Sequence, residues 1–112
     1  MKKLGAISLI SAQLADGINS DNLRTIALDL RSKTPSSVIV LVSVVDSKPV
    51  LIVASSDEAR TAGVKAGALV KIGSAVLGGG GGGKDDFAQG GGTDIAKISE
   101  ALVAIEQAII GK

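Results

Sequence analysis

The sequence predicts an α/β fold in which helices flank a single mixed β-sheet and a glycine-rich loop leads into a long C-terminal helix. Three features predict it. Two β-branched runs, Val38–Val45 and Val50–Ala54, are separated by four turn formers; stretches with helical spacing lie before and after them; and nine of the fifteen positions from Gly78 to Gly92 are glycine. Short spacings between these segments leave no room for an interdomain linker, so one domain over residues 1–112 is expected.

The segment Leu4–Leu14 carries Ile7-Ser8-Leu9-Ile10 between Gly5 and the polar run Asp16-Gly17-Ile18-Asn19, and reads as a first strand. Ser20 then stands where a helix N-cap belongs, with Leu23, Ile26, Ala27 and Leu30 at i, i+3, i+4 and i+7 and Thr34-Pro35 as the stop. Val38–Val45 is almost continuously apolar, as a central strand covered on both faces must be. Because Asp46-Ser47-Lys48-Pro49 is a connection of hairpin length, Val50–Ala54 should pair with it antiparallel.

Ser55 and Glu58 have capping-box spacing and open a short helix that Gly63 closes. From about Ala66 a further helix carries Leu69, Ile72, Val76 and Leu77 on one face, with Gly73 permitting close packing. Beyond the glycines, Thr93 is a suitable N-cap and Asp94 suits a positive helix end. Ile95, Ile98, Leu102, Ile105 and Ile109 then repeat at spacings of 3 and 4. That stripe reads as packing on the domain's own sheet; the alternative reading is a helix–helix seam through which a homodimer would form.

Composition excludes much chemistry. Of 112 residues 46% are hydrophobic but only 1% aromatic, Phe87 being the single case, so Ile, Val, Leu and Ala must fill the core. No Cys and no His are present, which removes thiolate nucleophiles, disulfides and imidazole acid/base or metal chemistry. The formal charge of +1 conceals an uneven distribution: Arg60, Lys65, Lys71 and Lys84 span 25 residues without an Asp or Glu between them. No stretch approaches the roughly 18 apolar residues that cross a bilayer. Met1-Lys2-Lys3 followed by Ala6 to Ala15 mimics a signal peptide, but Ser8, Ser11 and Gln13 interrupt it, so the expected location is cytoplasmic and no membrane partner is expected.

The glycine segment has two simple explanations. One is a flexible spacer, which its position inside the domain argues against. The other is a phosphate loop, since Gly78, Gly83 and Lys84 fit most of the P-loop pattern. That motif needs a strand before the loop and a helix after it; here an amphipathic helix comes first, and Asp85 stands where a Ser or Thr would hold Mg²⁺. What glycines offer is close approach of backbone to a partner, and beside Lys65, Lys71 and Lys84 that partner is anionic. Phe87 reads as a hydrophobic anchor for the loop rather than a base-stacking platform.

Taken together, the glycines to Gly83, Lys84, Asp86, Phe87-Ala88-Gln89 and Gly91-Gly92-Thr93-Asp94 resemble the C-terminal, DHHA1-type domain of alanyl-tRNA synthetases. The resemblance is strongest from Arg60 onward, where Lys65-Ala66-Gly67 matches a basic helix region; Asp85 departs from a proline frequent in that family. It implies a non-catalytic module of an ATP-dependent alanine–tRNA ligase that helps hold alanine-accepting tRNA, particularly its elbow. ATP, magnesium and zinc are then expected only in upstream domains of the parent, with no cofactor in this segment. The implied RNA-binding set is Arg60, Lys65, Lys71, Gly81, Gly82, Gly83, Lys84, Gln89, Gly91 and Gly92. Two alternatives stay open: a structural or dimerisation module of the same enzyme, and the nucleic-acid-binding accessory domain of a DHH-type phosphoesterase.

Overall fold

The computed structural model describes residues 2–5 and 7–110; Met1, Ala6, Gly111 and Lys112 lie outside the described residues, as do the side chains of Lys2 and Lys3. Six strands form one mixed sheet in the order β1-β2-β3-β4-β6-β5. The predicted first strand is a pair, β1 (Lys2–Leu4) and β2 (Ile7–Gln13), turning at Gly5, whose φ is +68°. Helix α1 (Ser20–Lys33) crosses over to β3 (Ser37–Val45), which runs parallel to β2. β4 (Lys48–Ser55) returns antiparallel, as the turn residues predict. The turn proper is only Asp46-Ser47, both at positive φ (53° and 63°), the geometry of two-residue hairpins whose twist matches that of the strands.

Two helix starts differ by one residue from the sequence reading. Asn19, not Ser20, caps α1, its side chain accepting from the Asn22 amide at 2.9 Å. Ser56, not Ser55, caps α2 (Asp57–Thr61), accepting from the Ala59 amide at 3.2 Å. In both cases two adjacent residues carry a capping group, and the last extended residue before the helix takes the role. The buried Ser55 hydroxyl is left without a partner.

Helix α3 (Ala66–Val76) buries Leu69, Val70, Gly73 and Ser74, whereas Ile72, expected on that face, is exposed. The segment expected as a loop is instead a hairpin, β5 (Gly81–Gly83) and β6 (Phe87–Gly91), with β6 paired antiparallel to β4. Thr93 is not the final cap: Asp94 caps a 3₁₀ turn (Ile95–Lys97), accepting from the Ala96 amide at 3.1 Å, and α4 (Ile98–Ile110) follows.

The molecule has three layers. On one face of the sheet Val38, Val40, Val42, Leu51 and Val53 pack under α2, α3 and α4. On the other, Ile39, Leu41, Ile52 and Ala54 pack under α1 through Leu23 and Ala27. β3 is therefore buried on both sides, as its unbroken apolar run predicts. The stripe on α4 is also used internally: Ile98, Ala101, Ile105 and Ile109 are buried against α3 and β2, while Ile95 is 49% exposed. Of the residues that suggested a dimer seam, Ile98, Ile105 and Ile109 thus belong to this domain's own core, with Leu102 half-buried at its edge. Among the described residues no helix is long and apolar enough to cross a membrane.

Urea denaturation separates the two cap assignments. Asn19→Ala is expected to cost about 1 kcal/mol, and Ser20→Ala less than about 0.5 kcal/mol. Leu41→Ala, emptying the fully buried centre of β3, is expected to cost about 2–5 kcal/mol.

Candidate nucleic-acid interface

The glycine run begins as a helix stop. Gly78 lies at φ +80° after α3, its amide donating to the Ala75 carbonyl at 3.2 Å and the Gly79 amide to the Ser74 carbonyl at 2.9 Å. That pair of bonds is the Schellman arrangement, which only glycine enters without strain. Next the chain turns back along the sheet so closely beneath α3 that side chains are excluded. A methyl group at Gly81 would stand 2.7 Å from Val70 Cγ1 and 2.8 Å from the Gln89 carbonyl oxygen. At Gly83 it would meet Ala88 Cα at 2.7 Å, and at Gly90 it would collide with the Ser74 hydroxyl.

Both ends of the hairpin are fastened. At the tip, the Ala66 and Gly67 amides that open α3 donate to the Asp85 and Lys84 carbonyls at 2.9 and 3.1 Å. The Asp86 carbonyl accepts from the Ser55 amide at 3.0 Å and from Arg31 Nη1 at 2.8 Å. At the base, the Gly92 amide donates to the Pro49 carbonyl at 3.3 Å, and the Thr93 amide to that of Leu77 at 2.9 Å. The segment is an ordered strand pair, and the leading amides of α3 are taken up by its tip rather than left for an anion.

Strand alternation gives the hairpin two unlike faces. Gly81, Gly83, Ala88 and Gly90 face α3, whereas Gly82 and its cross-strand partner Gln89 face the α1 side, with Phe87 and Gly91. Helix α1 lies across β3 and β4 and leaves most of this second face uncovered. Gly80 and Gly82 are the informative pair. Neither has a left-handed φ, and a Cβ at either would meet nothing within 4 Å. Internal packing explains Gly78, Gly79, Gly81, Gly83 and Gly90, but not these two.

Around the uncovered face lie Lys84, Gln89, Asp86 and Arg24 at one end and Asp46, Lys48, Val50, Gly91, Gly92 and Thr93 at the other. Of the residues singled out from the sequence, Gly82, Lys84, Gln89, Gly91 and Gly92 therefore meet on one surface. Gly81 and Gly83 belong to the covered face. Lys65, at the N-cap of α3, and Lys71, on that helix, are exposed, and α3 covers the opposite side of the hairpin. Arg60 is only 27% exposed, donating to the Ser55 carbonyl at 2.7 Å and pairing with Asp57, so it fastens α2. Arg24 and Lys48 were missed, because isolated cations in a helix and a turn give no sequence signal of where the fold brings them. Phe87 is half-buried against the α1-side core, with the Arg24 guanidinium 5.1 Å from its ring centre.

The DHHA1 domain family model matches residues 6–111. The chain belongs to that family. Relatives of this DHHA1 domain include the alanine–tRNA ligase of Paenarthrobacter aurescens, 54% identical over 92 residues, covering 80% of this chain and 10% of that protein. The alanine–tRNA ligase of a Nocardioides species is 43% identical, over 92% of this chain and 12% of that protein. Among solved structures, the C-Ala domain of Aquifex aeolicus alanyl-tRNA synthetase superposes with a TM-score of 0.89 at 29% identity, covering 98% of this chain and 97% of that one. The mixed sheet with flanking helices and a C-terminal helix is thus the C-Ala fold. The DHHA1 chain spans about a tenth of the length of the curated relatives it matches.

The two faces of the hairpin predict opposite responses to the same change. Gly81→Ala is expected to cost about 1–3 kcal/mol through collision with Val70. Gly82→Ala should be neutral or up to about 1 kcal/mol stabilising, since it restricts the unfolded chain without a clash. Thermal melts of the two variants check this directly.

Proposed function

We propose that this chain is the C-Ala-type module of a cytoplasmic alanine–tRNA ligase and that it holds alanine-accepting tRNA against the uncovered face of the glycine hairpin. Aminoacylation and editing, with their ATP, magnesium and zinc, belong in this reading to other domains of the parent. The observation that carries the proposal is the pair Gly80 and Gly82, glycines that the fold itself does not require. A glycine inside a strand weakens it, and one with open space above it suits a site where another backbone comes close.

The surroundings favour RNA met through its shape and backbone. The sole aromatic ring is half-buried with an arginine against it, so the single-strand strategy of stacking bases on exposed rings has nothing to work with. A folded RNA is instead met through phosphates and 2′-hydroxyls. Lys84, Lys48 and Arg24 supply positive charge at the rim, and the Gln89 amide can both donate to and accept from a ribose hydroxyl. With so few charges the isolated module should bind weakly, and its benefit to the parent would come from raising the local concentration of tRNA. The ligase relatives favour this reading over the accessory domain of a phosphoesterase.

Fluorescence anisotropy with labelled alanine-accepting tRNA at low salt tests the proposal. The wild-type chain should bind, and Gly82→Val should lose roughly tenfold or more in affinity, about 1.4 kcal/mol, while keeping the wild-type melting temperature. No binding at low salt, or binding unaffected by Gly82→Val, contradicts it. In sedimentation equilibrium the chain should be a monomer, because the regular stripe of α4 is buried. A dimer abolished by Val103→Lys would instead assign self-association to the side of α4 carrying Val103 and Ile110, which are 57% and 55% exposed.

A further inference from the structure

The tip end of the glycine face holds a cation that no motif contains. Arg24 comes from α1, yet it stands beside Gly82, Gly83, Lys84 and Gln89, its guanidinium 5.1 Å from the centre of the Phe87 ring. The residue is exposed, and its only interaction among the described residues is that ring contact. Arg31, one helical stretch further along α1, offers the contrast: its guanidinium donates to the Asp86 carbonyl and serves the fold.

We propose that Arg24 is a phosphate-binding residue of this interface, held ready by Phe87 to take one phosphodiester of an RNA backbone lying over Gly82. This inference rests on the reading of the glycine face as an RNA surface. A ring beneath a guanidinium satisfies its face while leaving the N–H groups at its edge free, and those groups form the fork that matches phosphate oxygens. Gly82, without a Cβ, leaves room for the nucleic-acid strand to descend to that edge. Lys84 at the same notch adds a second positive charge, so the two cations outweigh the Asp86 carboxylate that also lines it. The ring thereby orients the arginine rather than a base, which accounts for a lone aromatic in an RNA-facing surface.

The experiment measures tRNA affinity of the 112-residue chain as a function of salt, for wild type, Arg24→Gln, Arg24→Lys and Gly82→Val, with thermal melts as the check on folding. Arg24→Gln should weaken binding about three- to tenfold at low salt and reduce the slope of log K against log salt by about 0.7–0.9, the signature of one lost phosphate contact. Arg24→Lys should keep the wild-type slope while still binding more weakly, because an ammonium lacks the planar fork and stacks poorly. If Arg24→Gln shows wild-type affinity and slope while Gly82→Val has lost binding, the role of Arg24 is overturned and the glycine face stands. Wild-type binding by Gly82→Val overturns the reading of the glycine face itself.

Discussion

Helix α3 rests on the bare backbone of the β5–β6 hairpin, and the rest of the architecture depends on how close that contact is. Val70 and Ser74 occupy the space where side chains of Gly81 and Gly90 would stand, and Gly67 lies against the Gly83 carbonyl. Such an approach is open only to glycine on the strand side. Each glycine in a strand costs about 0.5–1 kcal/mol of chain entropy, so a hairpin this rich in them does not hold itself together. It is held from outside, by α3 lying on it, by the ladder to β4, and by carbonyls at its tip that receive the first amides of α3.

This arrangement separates two roles that one run of glycines would otherwise blur. On the α3 side, glycine is a packing requirement. On the α1 side it leaves Gly80 and Gly82 open, and the sheet presents nearly featureless backbone, with the charged groups at the margin: Arg24, Lys48 and Lys84 against Asp46 and Asp86. A surface of that kind has little to grip an apolar ligand and no exposed ring for a loose base. It suits a large, preformed, negatively charged object that meets it by shape, and it suits a module that acts by tethering rather than by tight binding of its own. Membership of the DHHA1 family, in relatives that are alanine–tRNA ligases, is consistent with that economy.

The parts of the fold that follow from apolar pattern were legible in the sequence. Val38–Val45 has the unbroken β-branched character of a strand buried on both faces, and Ile98, Ile105 and Ile109 have the spacing of a buried helix stripe. The hairpin was not legible, because polyglycine has neither alternation nor strand propensity and owes its conformation to α3 and β4. Capping residues were displaced by one where two candidates adjoined, as at Asn19-Ser20 and Ser55-Ser56. Charge was the least legible signal. The acid-free stretch from Arg60 to Lys84 distributes its cations over α2, α3 and the hairpin tip, and Arg60 turns inward to a carbonyl. Arg24 reaches the same surface from a different layer, through a tertiary relation that no local pattern encodes.

The central claim is that the α1-side face of the hairpin, and not the α3 side, meets RNA. It is tested most directly by recording ¹H–¹⁵N correlation spectra of the labelled chain while alanine-accepting tRNA is added. The account predicts that the amides of Gly80, Gly82 and Gln89 and the Arg24 side-chain Nε–H shift or broaden first, with those around Lys65 and Lys71 little affected. Perturbation centred on Lys65, Lys71 and the exposed side of α3, with the glycine amides unmoved, would contradict it.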